Sequence, residues 1–153
     1  MTHEPRSARA GDHPFLRGLP AEFLERVVRH ATERTYAPGA PILRDGGPAD
    51  RFVLVHAGKV ALEVATPERP RLTIQTVGPG EVVGWSWLVP PHRWRFDARA
   101  VKETHVTEID AAALRHILDD DPRAGYLLLR RLVPVIGERL EMARVQLLDI
   151  HGA

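Results

Sequence analysis

Arg51-Phe52-Val53-Leu54-Val55-His56-Ala57-Gly58-Lys59-Val60 is the stretch on which the fold of this chain turns. It is an apolar, β-branched run broken by a glycine, and similar punctuation frames it on both sides. Pro38-Gly39 and Asp45-Gly46-Gly47 come before it, and Gly78-Pro79-Gly80-Glu81-Val82-Val83-Gly84 comes after. Glycine reaches φ > 0 without steric cost, so each one marks a place where an antiparallel strand can reverse sharply. Glycine turns spaced roughly 8–12 residues apart between such runs predict a mainly β protein, a small barrel or jelly roll. Strands are expected from Thr35 to about Ile109, with Phe52, Leu54 and Ile74 facing inward. Thr66-Pro67-Glu68-Arg69-Pro70 reads as the tip of a hairpin.

Helices flank this β region. Phe23, Leu24, Val27, Val28 and Ala31 recur at helical spacing and predict a helix over Ala21–Thr32, with Pro20 suited to its first turn. Asp110 is placed to cap a short helix, Ala111 to Leu118. Asp121, with Pro122 after it, is placed to cap a longer one running to about Asp149. Residues 1–12 are expected to be a disordered tail. Residues 13–153 then form one domain, with the barrel over about 35–109 and terminal helices over about 110–149.

The long terminal helix carries two apolar lines. Leu129, Leu132, Ile136, Leu140, Ala143 and Leu147 follow steps of three and four, and Leu128, Val135 and Met142 follow steps of seven. The two lines could merge into one broad core-facing stripe. The favoured expectation is that one packs on the barrel and Leu128, Val135 and Met142 meet a second copy, giving a homodimer. Pro134 lies inside the helix and removes one backbone donor.

Composition narrows the function. The chain has 153 residues, 44% apolar and 27% charged, as in an ordinary globular protein. A net charge of +1 offers no concentrated basic face for nucleic acid. No apolar run approaches the roughly 20 residues that span a bilayer, and Met1–Asp12 lacks the apolar core of a secretory signal. Zero cysteines exclude disulfides and thiolate metal sites. A cytoplasmic protein without membrane attachment is expected.

The order of these signals, over residues 14–150, resembles the cyclic-nucleotide-binding domain of catabolite-activator-type regulators and kinase regulatory subunits. The resemblance implies a barrel enclosing a small ligand and dimerisation through the terminal helix. It also implies a Gly-Glu pair holding the ribose hydroxyls, and an Arg beside Ser, Thr or Ala gripping the cyclic phosphate. Carboxylate oxygens accept from hydroxyls, and guanidinium and backbone N–H groups donate to an anion. Here Gly84 falls on the family glycine, but Trp85 stands where the ribose-binding Glu belongs. Glu81 belongs to the preceding turn. Trp94-Arg95 fall on the phosphate-gripping pair, with Arg95 displaced by one residue, which in a strand turns a side chain to the other face. Two expectations follow. Trp85, Trp87, Trp94 and Phe96 plug the former pocket and leave a ligand-free interaction module. Alternatively they line a reshaped pocket around Gly84, Trp85, Ser86 and Trp94, with Arg93 or Arg95 contacting a cyclic nucleotide or another small anionic or aromatic ligand.

Other chemistry is sparse. Eight histidines, at 3, 13, 30, 56, 92, 105, 116 and 151, include no i, i+4 pair for a metal site, and no metal ligand set is expected. In a haem-sensing relative His92 would be the best-placed axial ligand, though a solvent-exposed loop histidine is the simpler reading. Asp119-Asp120-Asp121 lacks the alternating ligands of a calcium loop and reads as a turn and cap. Ser86 has no Gly-x-Ser-x-Gly context, since Leu88 occupies the last glycine's place. No catalytic residues and no enzyme are expected. Leu147-Leu148-Asp149-Ile150 resembles the hinge before the family's winged helix-turn-helix, and the chain stops at Ala153, so the expectation is a sensor or regulatory module that contacts a protein partner and not DNA.

Overall fold

The computed structural model describes residues 10–152, so residues 1–9 of the expected tail lie outside the described residues. Ala10–Asp12 form a 3-10 turn with Ala10 buried. The helices and strands that follow are α1 (Ala21–Val28), β1 (Ala31–Tyr36), β2 (Pro41–Leu43), β3 (Arg51–Ala57), β4 (Val60–Val64), β5 (Leu72–Val77), β6 (Asp97–Ala100), β7 (Thr104–Asp110), α2 (Ala111–Asp120) and α3 (Pro122–Gly152). Two antiparallel sheets make the β body, one ordered β1-β7-β3 and the other β2-β6-β4-β5. The expected class, mainly β with flanking helices in a jelly roll, is the one found. Among the described residues no helix is long and apolar enough to cross a membrane.

Helix α1 stops at Val28, short of the expected Thr32. Ala31 and Thr32 instead open β1, pairing with Ile109 and Glu108 of β7. The helical spacing of Ala31 is overridden by a strand ladder that Asp110 N–H extends to His30 O at 3.0 Å. Phe23 and Val27 are the residues α1 buries. At the other end both expected caps form. The Asp110 carboxylate accepts from Ala113 N–H at 2.8 Å, and that of Asp121 accepts from Ala124 N–H at 3.2 Å.

Phe52 and Leu54 are fully buried on β3, but so are Val53 and Val55. Both faces of this strand are covered, which its unbroken apolar run foreshadows. The segment after Gly78 runs along its free edge: Gly80 N–H donates to Val55 O, Val55 N–H to Glu81 O, and Val83 N–H to Val53 O, at 2.9, 2.9 and 3.0 Å. The β3–β4 turn depends on Gly58, whose φ is +104°. A Cβ there would lie 2.6 Å from the Glu103 carbonyl oxygen and from Thr104 Cα, so any side chain collides with backbone.

Candidate functional site

From Gly84 to Phe96 the chain leaves one sheet edge and returns as β6, and every ligand-binding candidate of the sequence, Gly84, Trp85, Ser86, Arg93, Trp94 and Arg95, lies on this excursion. Its first turn is closed by Leu88 N–H to Trp85 O at 3.0 Å and Val89 N–H to Ser86 O at 3.2 Å. A cis Pro90-Pro91 bond follows. The return limb is stapled to the Asp45-Gly46-Gly47 turn by Trp94 N–H to Gly47 O and Gly46 N–H to Trp94 O, at 2.9 and 2.8 Å.

The aromatics expected to act together are sorted to different places. Trp87 is sealed in the core, its ring centroid 4.7 Å from that of Phe52. Trp94 is 2% exposed. A Cβ on Gly84 would meet Phe96 Cζ at 3.0 Å and Trp94 Cζ3 at 3.1 Å, so these two rings occupy the space beside the glycine. Trp85 and Phe96 are half-buried and face an open cavity.

The expected anion contacts need correction. Arg93 is exposed and donates to Gly46 O at a long 3.4 Å. Arg95 is exposed too, and neither arginine lines the cavity. Trp94 turns inward, and its neighbours Arg93 and Arg95 are left exposed on either side of it. Ser86 offers its carbonyl to the turn and does not line the cavity. His92 is likewise absent from the lining, and its backbone serves the loop, with His92 N–H on Val89 O and His92 O accepting from Ala49 N–H. Among the described residues no group of three His, Cys, Asp or Glu could hold a metal ion.

The cavity, about 330 Å³, lies between the four-stranded sheet and α3. Leu62, Ile74, Trp85 and Phe96 form its barrel side, and Leu140 and Met142 its helix side. Between them comes Arg139, which the sequence reading passed over. Its side chain is buried at 9% exposure and reaches from α3 to the segment just before Gly84. One terminal nitrogen donates to Val83 O at 2.6 Å, and the other donates to Val82 O. The guanidinium carbon lies 5.4 Å from the Trp85 ring centroid, a cation–π arrangement. Burial pushes Arg139 down to about 10, while Glu81 and Glu138 pull the other way from a distance. No carboxylate forms an ion pair with it among the described residues. The buried carboxylates elsewhere are engaged: Glu63 with Arg99 at 2.6 Å, and Glu108 with Tyr36 at 2.5 Å and Arg51 at 3.2 Å.

The two apolar lines of α3 do not divide between barrel and partner as expected: Leu132 and Ile136 of the longer line pack against the core together with Leu128 and Val135 of the other. Leu128 is fully buried, Val135 packs against the core, and Met142, though 45% exposed, borders the cavity, so the line expected at a dimer interface is turned mostly to the chain's own barrel. Tyr126, Leu129, Val133, Leu140 and Leu147 are exposed at 61, 42, 60, 69 and 56%. Steps of three, four and seven put these five on one face. Arg139 falls four residues after Val135 and three before Met142, on the inward line. A charge interrupting that line was the signal available in the sequence.

A family model described as the cyclic nucleotide-binding domain matches residues 33–121, more than half of the chain. The chain is 30% identical over 135 residues to glutaminase 1 of Bradyrhizobium diazoefficiens, covering 88% of this chain and 21% of that one. It is 24% identical over 143 residues to a CRP-like cAMP-activated global transcriptional regulator of Mycobacterium tuberculosis, covering 94% and 61%. The chain thus spans only part of the curated relatives it matches. A solved cyclic nucleotide-binding domain from Methylobacillus flagellatus superposes with a TM-score of 0.81 over 97% of this chain and 88% of that one, at 18% identity, a likeness of fold.

Proposed function

This chain belongs to the cyclic nucleotide-binding domain family, and on that premise we propose that it is a non-enzymatic sensor or regulatory module with a degenerate nucleotide pocket. The observation that carries the reading is the filling of the space beside Gly84 by Trp94 and Phe96. Trp85, an indole that can only donate, stands where the family's ribose-binding carboxylate belongs. Arg95, the candidate for gripping phosphate, is exposed. A cyclic nucleotide entering the usual way would lose its ribose acceptor and its phosphate donor together, and an unpaired buried polar group costs about 1–3 kcal/mol.

Calorimetric titration with cyclic AMP and cyclic GMP tests this. Binding no tighter than about 1 mM, near −4 kcal/mol, is expected. Micromolar affinity for either nucleotide overturns the degenerate pocket.

A ligand-free interaction module is the second reading, supported by Trp87 and Trp94 being core residues. The cavity beside Trp85 favours the sensor, since 330 Å³ falls within the roughly 300–1,000 Å³ of small-molecule sites. The exposed line of α3 supports homodimer formation, now through Leu129, Val133, Leu140 and Leu147 in place of Leu128, Val135 and Met142. We assign the output to contacts with protein and not DNA, and the setting to the cytoplasm.

A further inference from the structure

We propose that the cavity beside Trp85 binds a small aromatic carboxylate, with the ring against Trp85, Phe96 and Ile74 and the carboxylate on Arg139. The inference rests on the degenerate-pocket reading and deepens it by naming the ligand class.

Four observations meet at this place. First, the cavity walls are almost wholly apolar, with Leu62, Ile74, Phe96, Leu140 and Met142 around the Trp85 ring. Such a surface gains by covering a flat apolar body and offers little to a sugar hydroxyl. Second, the cation in this wall is buried without an ion-pair partner among the described residues. Its contacts are two backbone carbonyls, Val82 O and Val83 O, and the Trp85 ring. A guanidinium has five N–H donors in a fixed fork. The two bonds to carbonyls leave donors for a planar carboxylate, which such a fork matches. Third, a charge held in a desolvated site interacts strongly with an opposite charge brought beside it, because water does not screen the pair. Burial has already weakened the hold of Arg139 on its proton, and an anion in the cavity offsets that cost. Fourth, the remaining polar side chains nearby are amides. Gln146 Nε2 is spent on Ile74 O at 2.8 Å, and Gln75 is neutral, so no carboxylate repels the incoming one from within the lining. Glu81 and Glu138 are absent from this lining and belong to a separate hollow of about 220 Å³ that Arg139 also borders.

The site joins two elements, since Arg139 and Met142 come from α3 and Trp85 and Phe96 from the barrel. A bound carboxylate therefore ties the helix that carries the exposed apolar line to the segment after Gly84.

The test uses the full chain and three probes, phenylacetate, indole-3-acetate and 2-naphthoate, each paired with its neutral carboxamide. Calorimetry is read for both members, with intrinsic tryptophan fluorescence beside it, alongside cyclic AMP and cyclic GMP. At least one carboxylate is expected to bind below about 100 μM and at least about tenfold more tightly than its amide. Arg139→Gln should erase that preference and Arg139→Lys should keep part of it. Ile74→Trp, which fills the cavity and leaves Arg139 in place, should abolish binding. Equal affinity for acid and amide overturns the role of Arg139. Failure of all three acids to bind below about 1 mM overturns the ligand class. Neither result touches the degenerate-pocket reading, which falls only if a cyclic nucleotide binds at micromolar concentration. Retained preference in Ile74→Trp refutes the location, and this variant remains decisive if Arg139→Gln does not fold.

Discussion

Replacing Trp94 by alanine asks whether an indole truly occupies the space beside Gly84. Trp94 is 2% exposed, its ring edge approaches the would-be Cβ of Gly84 at 3.1 Å, and its centroid lies 6.3 Å from that of Phe96. A buried tryptophan withdraws about 150–250 Å² from water, which at about 25 cal/mol per Å² gives an upper figure of roughly 4–6 kcal/mol. Measured truncations of buried aromatics cost about 3–5 kcal/mol once partial relaxation is included. The backbone bonds of residue 94 to Gly46 and Gly47 survive the change, so the loss is one of packing. We expect a destabilisation of about 4 kcal/mol, which for a chain of this size is a fall in Tm of roughly 8–16 °C. Urea denaturation followed by far-ultraviolet circular dichroism measures it, with Arg95→Ala as a control expected to stay within about 0.5 kcal/mol. A loss under about 1 kcal/mol for Trp94→Ala would refute the reasoning. The indole would then lie against solvent, the space beside Gly84 would be free, and the case against ordinary nucleotide binding would lose its main support.

Three further outcomes are expected. His13 is buried, with its ring nitrogens bonded to Val55 O at 2.8 Å and Phe15 N–H at 3.1 Å, and burial lowers it to about 4. The unfolded chain takes up this proton near 6.5 and the folded chain only near 4, so stability should fall by about 3 kcal/mol as pH drops across that window and then level. Denaturant midpoints should show a shallower slope in His13→Gln, and an unchanged slope would remove His13 as its source. Gly58→Ala should cost at least about 3 kcal/mol, against the roughly 1–2 kcal/mol of left-handed strain alone at Gly39→Ala, where the added Cβ meets open space. Similar midpoints for the two variants would contradict the backbone clash. Val133→Glu, placed at the centre of the exposed line of α3, should shift a dimer to monomer in light scattering coupled to size exclusion. A monomeric wild type at tens of micromolar, where a dimer of Kd about 1 μM would form, would defeat the dimer.

Local rules made much of this protein legible before any coordinates. Pro67 and Pro70 in the hairpin tip, the caps Asp110 and Asp121, and the run around Phe52 each depend on neighbours in sequence, and each leads to the element found. The order of those elements carried the family resemblance, and Gly84 followed by Trp85 already marked the departure in the pocket. Long-range contact decided what remained. Ala31 had helical spacing, but a register with Ile109, far along the chain, drew it into β1. Periodicity shows that α3 has two apolar lines and is silent on which one meets the barrel. The fold divides both, burying Leu128 of one line and Leu132 of the other in the core. Trp85, Trp87 and Trp94 are alike in composition and hydrophobicity, and only closure of the excursion onto Gly46 and Gly47 made two of them core and one a cavity wall. Arg139 is the clearest case. Sequence places a charge on an inward line, but the carbonyls of Val82 and Val83 that allow it to stay buried come from a segment more than fifty residues away, and only the folded chain brings them to it.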